Sequence, residues 1–242
     1  EHDEVERAEG ELQVQRSRIV PCLPPSRKEA KAMRKKLLLA AAVAIAVVLA
    51  TIMIIAPKSE PELPLPNPNG YDDFLKGAAM VCERSWNWDT LSIEELRPLV
   101  ATNQAALEII QAALTKQSRV VPYSLTATNA NHLSSDLTGL KHAAQAFCAA
   151  STLALSEGQT NKAGILALDC IQFGQESTRG GLIIDWLVGI AIQALGRARL
   201  EDCLAGLDTH TSTSVIATLD DTLRNRESPD EVFKREVQWA RR

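Results

Sequence analysis

The histidines beyond residue 57 are the first side chains whose type could do chemistry. His132 and His142 lie on one predicted helix, and His210 lies in a predicted loop. Two histidines that share a metal on one helix face are about four residues apart, as in HExxH, and this spacing does not occur here. We therefore expect each histidine to be a surface or helix-end residue. The acidic pair Asp220-Asp221 is expected on a solvated helix face.

Four cysteines follow residue 57, namely Cys82, Cys148, Cys170 and Cys203. An even number in an exported domain permits disulfides, whereas the absence of CxxC or Cys/His spacing predicts no metal site. Cys148 and Cys170 are equally far from a predicted turn at Gln159, and equal offsets give equal heights in an antiparallel helix pair. Two interpretations stay open: a Cys148–Cys170 disulfide, or two free thiols that fill a tight interface.

Asp185 is an acid near the start of an apolar helix, and Arg179 lies six residues before it. The two residues are a candidate buried polar site, although Asp185 would equally complement the positive end of its own helix. The phosphate- and dinucleotide-binding patterns GxxxxGK[ST] and GxGxxG are absent, and so is GxSxG. The sequence thus predicts no cofactor, no metal and no catalytic residues.

The elements that would position these residues begin with an uncharged segment, Leu37–Ala56. At about 1.5 Å per residue it reaches about 30 Å, the thickness of the hydrocarbon core of a bilayer. Leucine, isoleucine and valine dominate it, and only Thr51 is polar. We therefore predict a single transmembrane helix that contacts membrane lipid.

The flanks of this segment predict its orientation. Basic residues crowd its N-terminal side, whereas Lys58 on the far side is followed by acidic residues. Positive charge stays in the cytoplasm, so residues 1–36 form a short basic cytoplasmic tail and the C-terminal part is extracytoplasmic, in the inner (cytoplasmic) membrane. The competing interpretation is a cleaved signal peptide, but Pro57 directly after Ala56 opposes cleavage. Two interpretations of residues 1–32 stay open: they belong to this cytoplasmic tail, or translation begins at Met33 and they are not translated.

Beyond the membrane segment we predict an extended stalk and then an all-α domain. Five prolines in residues 57–70 exclude helix and central strand, and Asn69-Gly70 is expected to close this linker as a turn. Residues 71–242 carry helical periodicity, with capping boxes at Ser92 and Ser228. Glycines near residues 158 and 180 are expected to separate antiparallel helices of a bundle. The last helix is still running at Arg242, so we expect the natural chain to continue.

The most apolar predicted helix of this domain covers residues 182–207. Its polar residues Asp185, Gln193 and Arg197 form one narrow stripe, so the helix is expected to be buried on most sides, with Leu187 and Ile190 in the centre of the bundle. A second membrane span is the alternative, although Asp185 and Gln193 divide the apolar run.

One hairpin resembles a single tetratricopeptide repeat. Large, small and glycine residues fall at the positions of that repeat, at Phe147, Ala150, Ser151, Ala154, Gly158, Ala163, Ala167 and Cys170. Because an array needs about three copies, the resemblance implies antiparallel helix packing and not an array. Over residues 33–242 the chain also resembles uncharacterised membrane-anchored helical proteins of planctomycete-type bacteria. That resemblance rests on Asn69–Phe74, Leu91–Leu96, Ala154–Gly158 and Leu182–Ala191, and it implies the same topology but no activity.

Two functions remain compatible with these patterns. The first is a membrane-tethered, non-enzymatic helical module that binds a protein or another envelope component. The second is an envelope hydrolase whose site is assembled from separate helices. Nucleic acid is not an expected partner, because the formal net charge is -4 and the domain after the stalk is mildly acidic.

Overall fold

The computed structural model describes residues 64–82, 88–122 and 127–241, and this part of the chain is all-helical. The described residues belong to one compact unit, Ala56–Arg242. Within them we number the helices α1 to α7: Gly70–Ala79, Ile93–Ala113, Ala127–Ser156, Thr160–Glu176, Ile183–Cys203, Thr209–Arg224 and Pro229–Ala240. The predicted all-α class is confirmed. A short 3₁₀ helix, Leu204–Gly206, joins α5 to α6.

Local signals in the sequence set several helix ends. Ser92 starts α2 with a reciprocal capping box, in which its side chain accepts from the Glu95 amide and the Glu95 carboxylate accepts from the Ser92 amide. Ser228 and Glu231 start α7 in the same way. Gly158 adopts a positive φ of 74° between α3 and α4, and Gly180 one of 75° between α4 and α5. These predicted caps and breaks are confirmed.

The core is organised around three fully buried phenylalanines from three helices. The Phe173 ring on α4 meets Phe74 of α1 edge-on, with centroids 5.4 Å apart, and lies 6.0 Å from the Phe147 ring of α3. Small residues such as Ala143 and Ala146 surround them. Edge-to-face aromatic pairs contribute stability in addition to that from burial of their area, and they do so only in particular geometries. This cluster therefore helps to determine how α1, α3 and α4 pack.

The α4–α5 contact is close because glycines line it. A Cβ added to Gly189 would lie 2.5 Å from the Gly174 carbonyl oxygen and 2.3 Å from Thr178 Oγ1. A Cβ on Gly196 would lie 2.9 Å from the Ala167 carbonyl oxygen. The two helices therefore meet backbone to backbone, with no room for side chains at these positions.

The start of the domain is tied to the segment that follows α2. The Asn69 side-chain amide donates to the Arg119 carbonyl (2.8 Å), and its oxygen accepts from the Arg119 amide (2.9 Å). The Gly70 amide donates to the Gln117 carbonyl at 2.9 Å. The predicted Asn69-Gly70 turn is thus wrong: Asn69 is the N-cap of α1, and Gly70 is the first residue of that helix.

Charged side chains hold α7 against the α4–α5 turn. The Arg235 guanidinium donates two 3.0 Å hydrogen bonds to Glu227 and one of 2.8 Å to the Gly181 carbonyl. The Glu236 carboxylate accepts from the Ile183 amide at 3.0 Å. Glu227 also accepts from the Gly180 amide at 3.0 Å, so the bidentate Arg235–Glu227 pair is joined to the α4–α5 turn.

The described residues contain no helix that is long and apolar enough to cross a membrane. The helix Ile183–Cys203, which covers most of the alternative second span at residues 182–207, is one of these described helices. The predicted transmembrane helix Leu37–Ala56 and the tail 1–36 lie outside the described residues, as do residues 57–63 of the stalk.

Candidate interaction surface

Helix α5 turns its polar residues inward. Asp185 is 1% exposed and Gln193 is 7% exposed, and only Arg197 of the predicted polar stripe is exposed. The buried side of α5 also holds Gly189 and Gly196, which contact α4. Glycines stand where the α4 backbone comes closest, and Ile192 and Leu200 are buried on the same side of α5.

The opposite side of α5 is apolar and exposed. Ile184 is 46% exposed and Leu187 is 50% exposed, and Ala191, Ala194 and Ala198 are exposed as well. We call these five residues the α5 face. They are spaced three and four apart, so they form one stripe along the helix. Within it no side chain is polar.

The expectation that Leu187 and Ile190 occupy the centre of the bundle is therefore wrong. Leu187 belongs to the α5 face, and Ile190 is only half-buried. The centre of the bundle is formed instead by α3 and α4, which carry the buried Phe147 and Phe173. Helix α5 packs on this pair as a peripheral element, with one side in solvent.

Asp185 and Arg179 interact with different partners. The Asp185 carboxylate accepts from the Leu182 amide at 2.7 Å and so caps the start of its own helix. The Arg179 guanidinium donates to the Glu176 carboxylate, 2.8 Å from Nε, and to the Asn225 carbonyl at 3.0 Å. The Glu176 hydrogen bond raises the pKa of Arg179. Asp185 thus caps the start of α5, and Arg179 joins the segment after α4 to the residue that follows α6.

Cys148 and Cys170 face each other across α3 and α4, and both are buried free thiols. The Cys170 sulfur lies 3.8 Å from the Ala144 carbonyl oxygen, one helical turn before Cys148, and 3.7 Å from the Ile192 carbonyl oxygen. A hydrogen bond between the two thiols, together with burial, raises the pKa of Cys170 well above its usual value. Burial and the raised pKa make the Cys170 thiol a poor nucleophile in the folded domain.

The two interpretations of Cys148 and Cys170 predict different outcomes: a disulfide if the chain folds in an oxidising compartment, or two free thiols. Oxidation must precede complete burial, because a buried thiol reacts slowly. Closing a loop of about 22 residues would stabilise the domain by about 3 kcal/mol. Thiol counting on the denatured, unreduced chain should show two thiols fewer than after reduction, and Cys148→Ser should abolish that difference. An identical count before and after reduction would leave the pair as free thiols.

Other candidate groups are dispersed. Within the ranges that the structure describes, no three His, Cys, Asp or Glu side chains are placed to hold a metal ion. His142 is half-buried and His210 is exposed, as are Asp220 and Asp221. The sequence analysis missed Asp169. Burial raises the pKa of this carboxyl group, and a 2.6 Å hydrogen bond from Gln111 offsets only part of that rise. Nothing in its helical surroundings along the chain marks it as special.

Comparisons of this chain with protein-family models, with curated proteins and with solved structures find no match. We take the α5 face as the candidate interaction surface, because its five apolar residues lie on one line along the helix.

Proposed function

We propose that this protein is a membrane-tethered, non-enzymatic helical module that binds a protein partner through the α5 face. The observation that carries the proposal is the apolar, exposed side of α5, where Ile184 and Leu187 are each about half exposed. A contiguous apolar stripe on a soluble domain typically marks an interaction site, whereas single exposed apolar residues are ordinary.

The regular spacing of the α5 face favours a helical partner. Residues three and four apart form a straight ridge on a helix, and such a ridge packs into the groove of another helix. The alanines Ala191, Ala194 and Ala198 would let the two backbones approach closely. A docked helix would bury the exposed half of Leu187 and of Ile184, so each would contribute about half of the roughly 1.5–3 kcal/mol that full burial of such a side chain provides.

The tether is proposed from the chain that precedes the domain. Residues 37–56 are uncharged and long enough for one span, and the basic residues before them favour a cytoplasmic N-terminal side. The proline-rich linker would then hold the helical domain away from the bilayer, in the extracytoplasmic space. Such placement leaves the α5 face accessible to envelope proteins and to other copies of the chain.

Chemical crosslinking in membranes of cells that make the full chain tests this proposal. Leu187→Asp places a charge in the α5 face and should abolish the crosslinked products, because burying an unpaired carboxylate is unfavourable. Leu223→Asp is the matched control, since Leu223 is also exposed, on α6, outside the α5 face. Equal crosslinking of Leu187→Asp and the control would refute the proposed surface.

A further inference from the structure

We infer that Asn69 is a deamidation site, which the fold keeps unreactive and which reacts irreversibly when the start of α1 opens. Three hydrogen bonds join Asn69 and Gly70 to residues 117–119, and we call them the N-terminal tie. Asparagine followed by glycine is the dipeptide most prone to spontaneous deamidation, because glycine has no side chain to hinder attack by its own amide nitrogen. This inference is independent of the α5 face.

The reaction is intramolecular and needs only water and a base. The Gly70 backbone nitrogen loses its proton to the base and attacks Cγ of Asn69, which forms a five-membered succinimide ring. The bond from Cγ to Nδ2 breaks, and Nδ2 takes up a proton and leaves as ammonia. Water then opens the ring at either of its two carbonyls and gives aspartate or isoaspartate. In isoaspartate the main chain runs through the side-chain carbons and is one atom longer.

The folded domain keeps both reacting groups from this reaction. Asn69 is only 8% exposed, and Gly70 is buried. The Gly70 amide donates to the Gln117 carbonyl at 2.9 Å, so its proton is withheld from a base in solution. The Asn69 side chain is held by its two hydrogen bonds with Arg119 and by one of 3.3 Å from the Tyr71 amide. Attack therefore requires the N-terminal tie to open first.

The same contacts explain why this labile pair occurs here. The Asn69 side chain both donates to and accepts from the main chain of Arg119, and an ionised aspartate has no donor with which to do so. A Cβ on Gly70 would lie 3.2 Å from the Ala113 carbonyl oxygen and 3.3 Å from the Gln117 carbonyl oxygen, which is closer than most Cβ atoms come to a neighbour. The hydrogen bonds thus favour asparagine, and the packing favours glycine.

Deamidation would prevent the N-terminal tie from closing again in its original form. Aspartate still accepts from the Arg119 amide, but it places a carboxylate oxygen beside the Arg119 carbonyl oxygen, to which Nδ2 now donates at 2.8 Å. Isoaspartate shifts Gly70 by one main-chain atom relative to Gln117. Because the product does not revert to asparagine, the deamidated fraction rises with the total time that the tie has been open.

Mass spectrometry of the full chain, purified in a mild detergent and incubated at mildly alkaline pH, tests the inference. A typical hydrogen bond shifts an equilibrium about two- to tenfold. Three such bonds predict that Asn69 deamidates at least about tenfold more slowly in the folded chain than in denaturing urea. Asn67 is the internal control: it lies in the same tryptic peptide and precedes proline, which has no N–H to lose, so it should stay unchanged.

Substitution at residue 119 separates the N-terminal tie from other sources of protection. Arg119→Pro removes the amide that donates to Asn69, whereas Arg119→Ala keeps it, and both variants lose the arginine side chain. We expect Asn69 to deamidate about two- to tenfold faster in folded Arg119→Pro than in Arg119→Ala, and equally fast in urea. If Arg119→Pro does not fold, hydrogen exchange of the Gly70 amide in the unsubstituted chain replaces it. Its protection factor should match the protection of Asn69 against deamidation, because one opening controls both.

Asn69→Asp reproduces one product and tests whether closure is lost. Its Gly70 amide should exchange about two- to tenfold faster than in Asn67→Asp, which makes the same charge change at an exposed residue. An unmodified Asn69 in urea would overturn the site itself. Equal deamidation in the folded and unfolded chains, or in the two variants at residue 119, would overturn the tie as its control. Equal exchange in the two aspartate variants would show that the tie closes again after deamidation.

Discussion

Phe173→Ala lowers the free energy of unfolding by about 3–5 kcal/mol. Its side chain is fully buried and touches the rings of Phe74 and Phe147, so truncation removes contacts to two other helices at once. The cavity would lie where α1, α3 and α4 meet, and backbones locked by other packing can collapse into it only in part. Denaturant unfolding of the full chain, followed by circular dichroism, measures the loss.

Phe233→Ala is the matched control for this substitution. Phe233 lies on α7 and is 49% exposed, so its truncation should change the free energy of unfolding by less than about 1 kcal/mol. If Phe173→Ala fails to fold, Phe173→Leu should fold with a smaller loss. A loss below about 1 kcal/mol for Phe173→Ala would mean that the three phenylalanines do not form the centre of the core.

Gly189→Ala destabilises the domain by about 1–3 kcal/mol, although it adds only one methyl group. That methyl would lie 2.3 Å from Thr178 Oγ1 and 2.5 Å from the Gly174 carbonyl oxygen, so α4 and α5 must separate. On helix propensity alone, Gly189→Ala would raise the free energy of unfolding, because alanine is the better helix former by about 1 kcal/mol. The midpoint of thermal or denaturant unfolding reports which term dominates.

Gly139→Ala is the control that isolates the steric effect. Gly139 also lies within a helix, α3, but its added Cβ would be 3.5 Å from the Ala78 Cβ, an ordinary contact. We expect this substitution to be neutral or to stabilise by up to about 1 kcal/mol. Gly174→Ala should resemble Gly189→Ala, and the double variant should be non-additive because both positions share one contact. Equal effects at residues 139 and 189 would contradict the close α4–α5 crossing.

Features with local causes could be predicted from the sequence. The capping boxes at Ser92 and Ser228 depend on residues three positions apart, and the breaks at Gly158 and Gly180 depend on the backbone freedom of glycine. The all-α class follows from 3.6-residue periodicity over most of the domain. None of these inferences requires knowledge of which helices are neighbours.

The orientation of α5 could not be predicted, because both of its sides carry apolar residues and the buried side also carries Asp185 and Gln193. The positions of closest approach to α4 are glycines at residues 189 and 196. Glycine has no side chain, so these positions do not contribute to a periodic pattern of apolar residues. The buried Asp185 is satisfied by its own helix end, so it tolerates an interior position. Ile184 and Leu187 lie on the exposed side of α5. The candidate surface was therefore visible only after the pairing of α4 with α5 was known.

The hydrogen bonds at Asn69 determine where a mechanical force on the N-terminal side of the chain enters the domain. A pull on the chain from its N-terminal side reaches Asn69 and Gly70 first, and three hydrogen bonds join these residues to the segment 117–119. Because the three bonds connect the same two short segments, they share tension and must yield together. The next residue, Val120, donates to the Arg179 carbonyl at 2.9 Å, beyond the end of α4. Tension would therefore enter the central helix pair directly, and α1 would be shielded from being peeled away turn by turn.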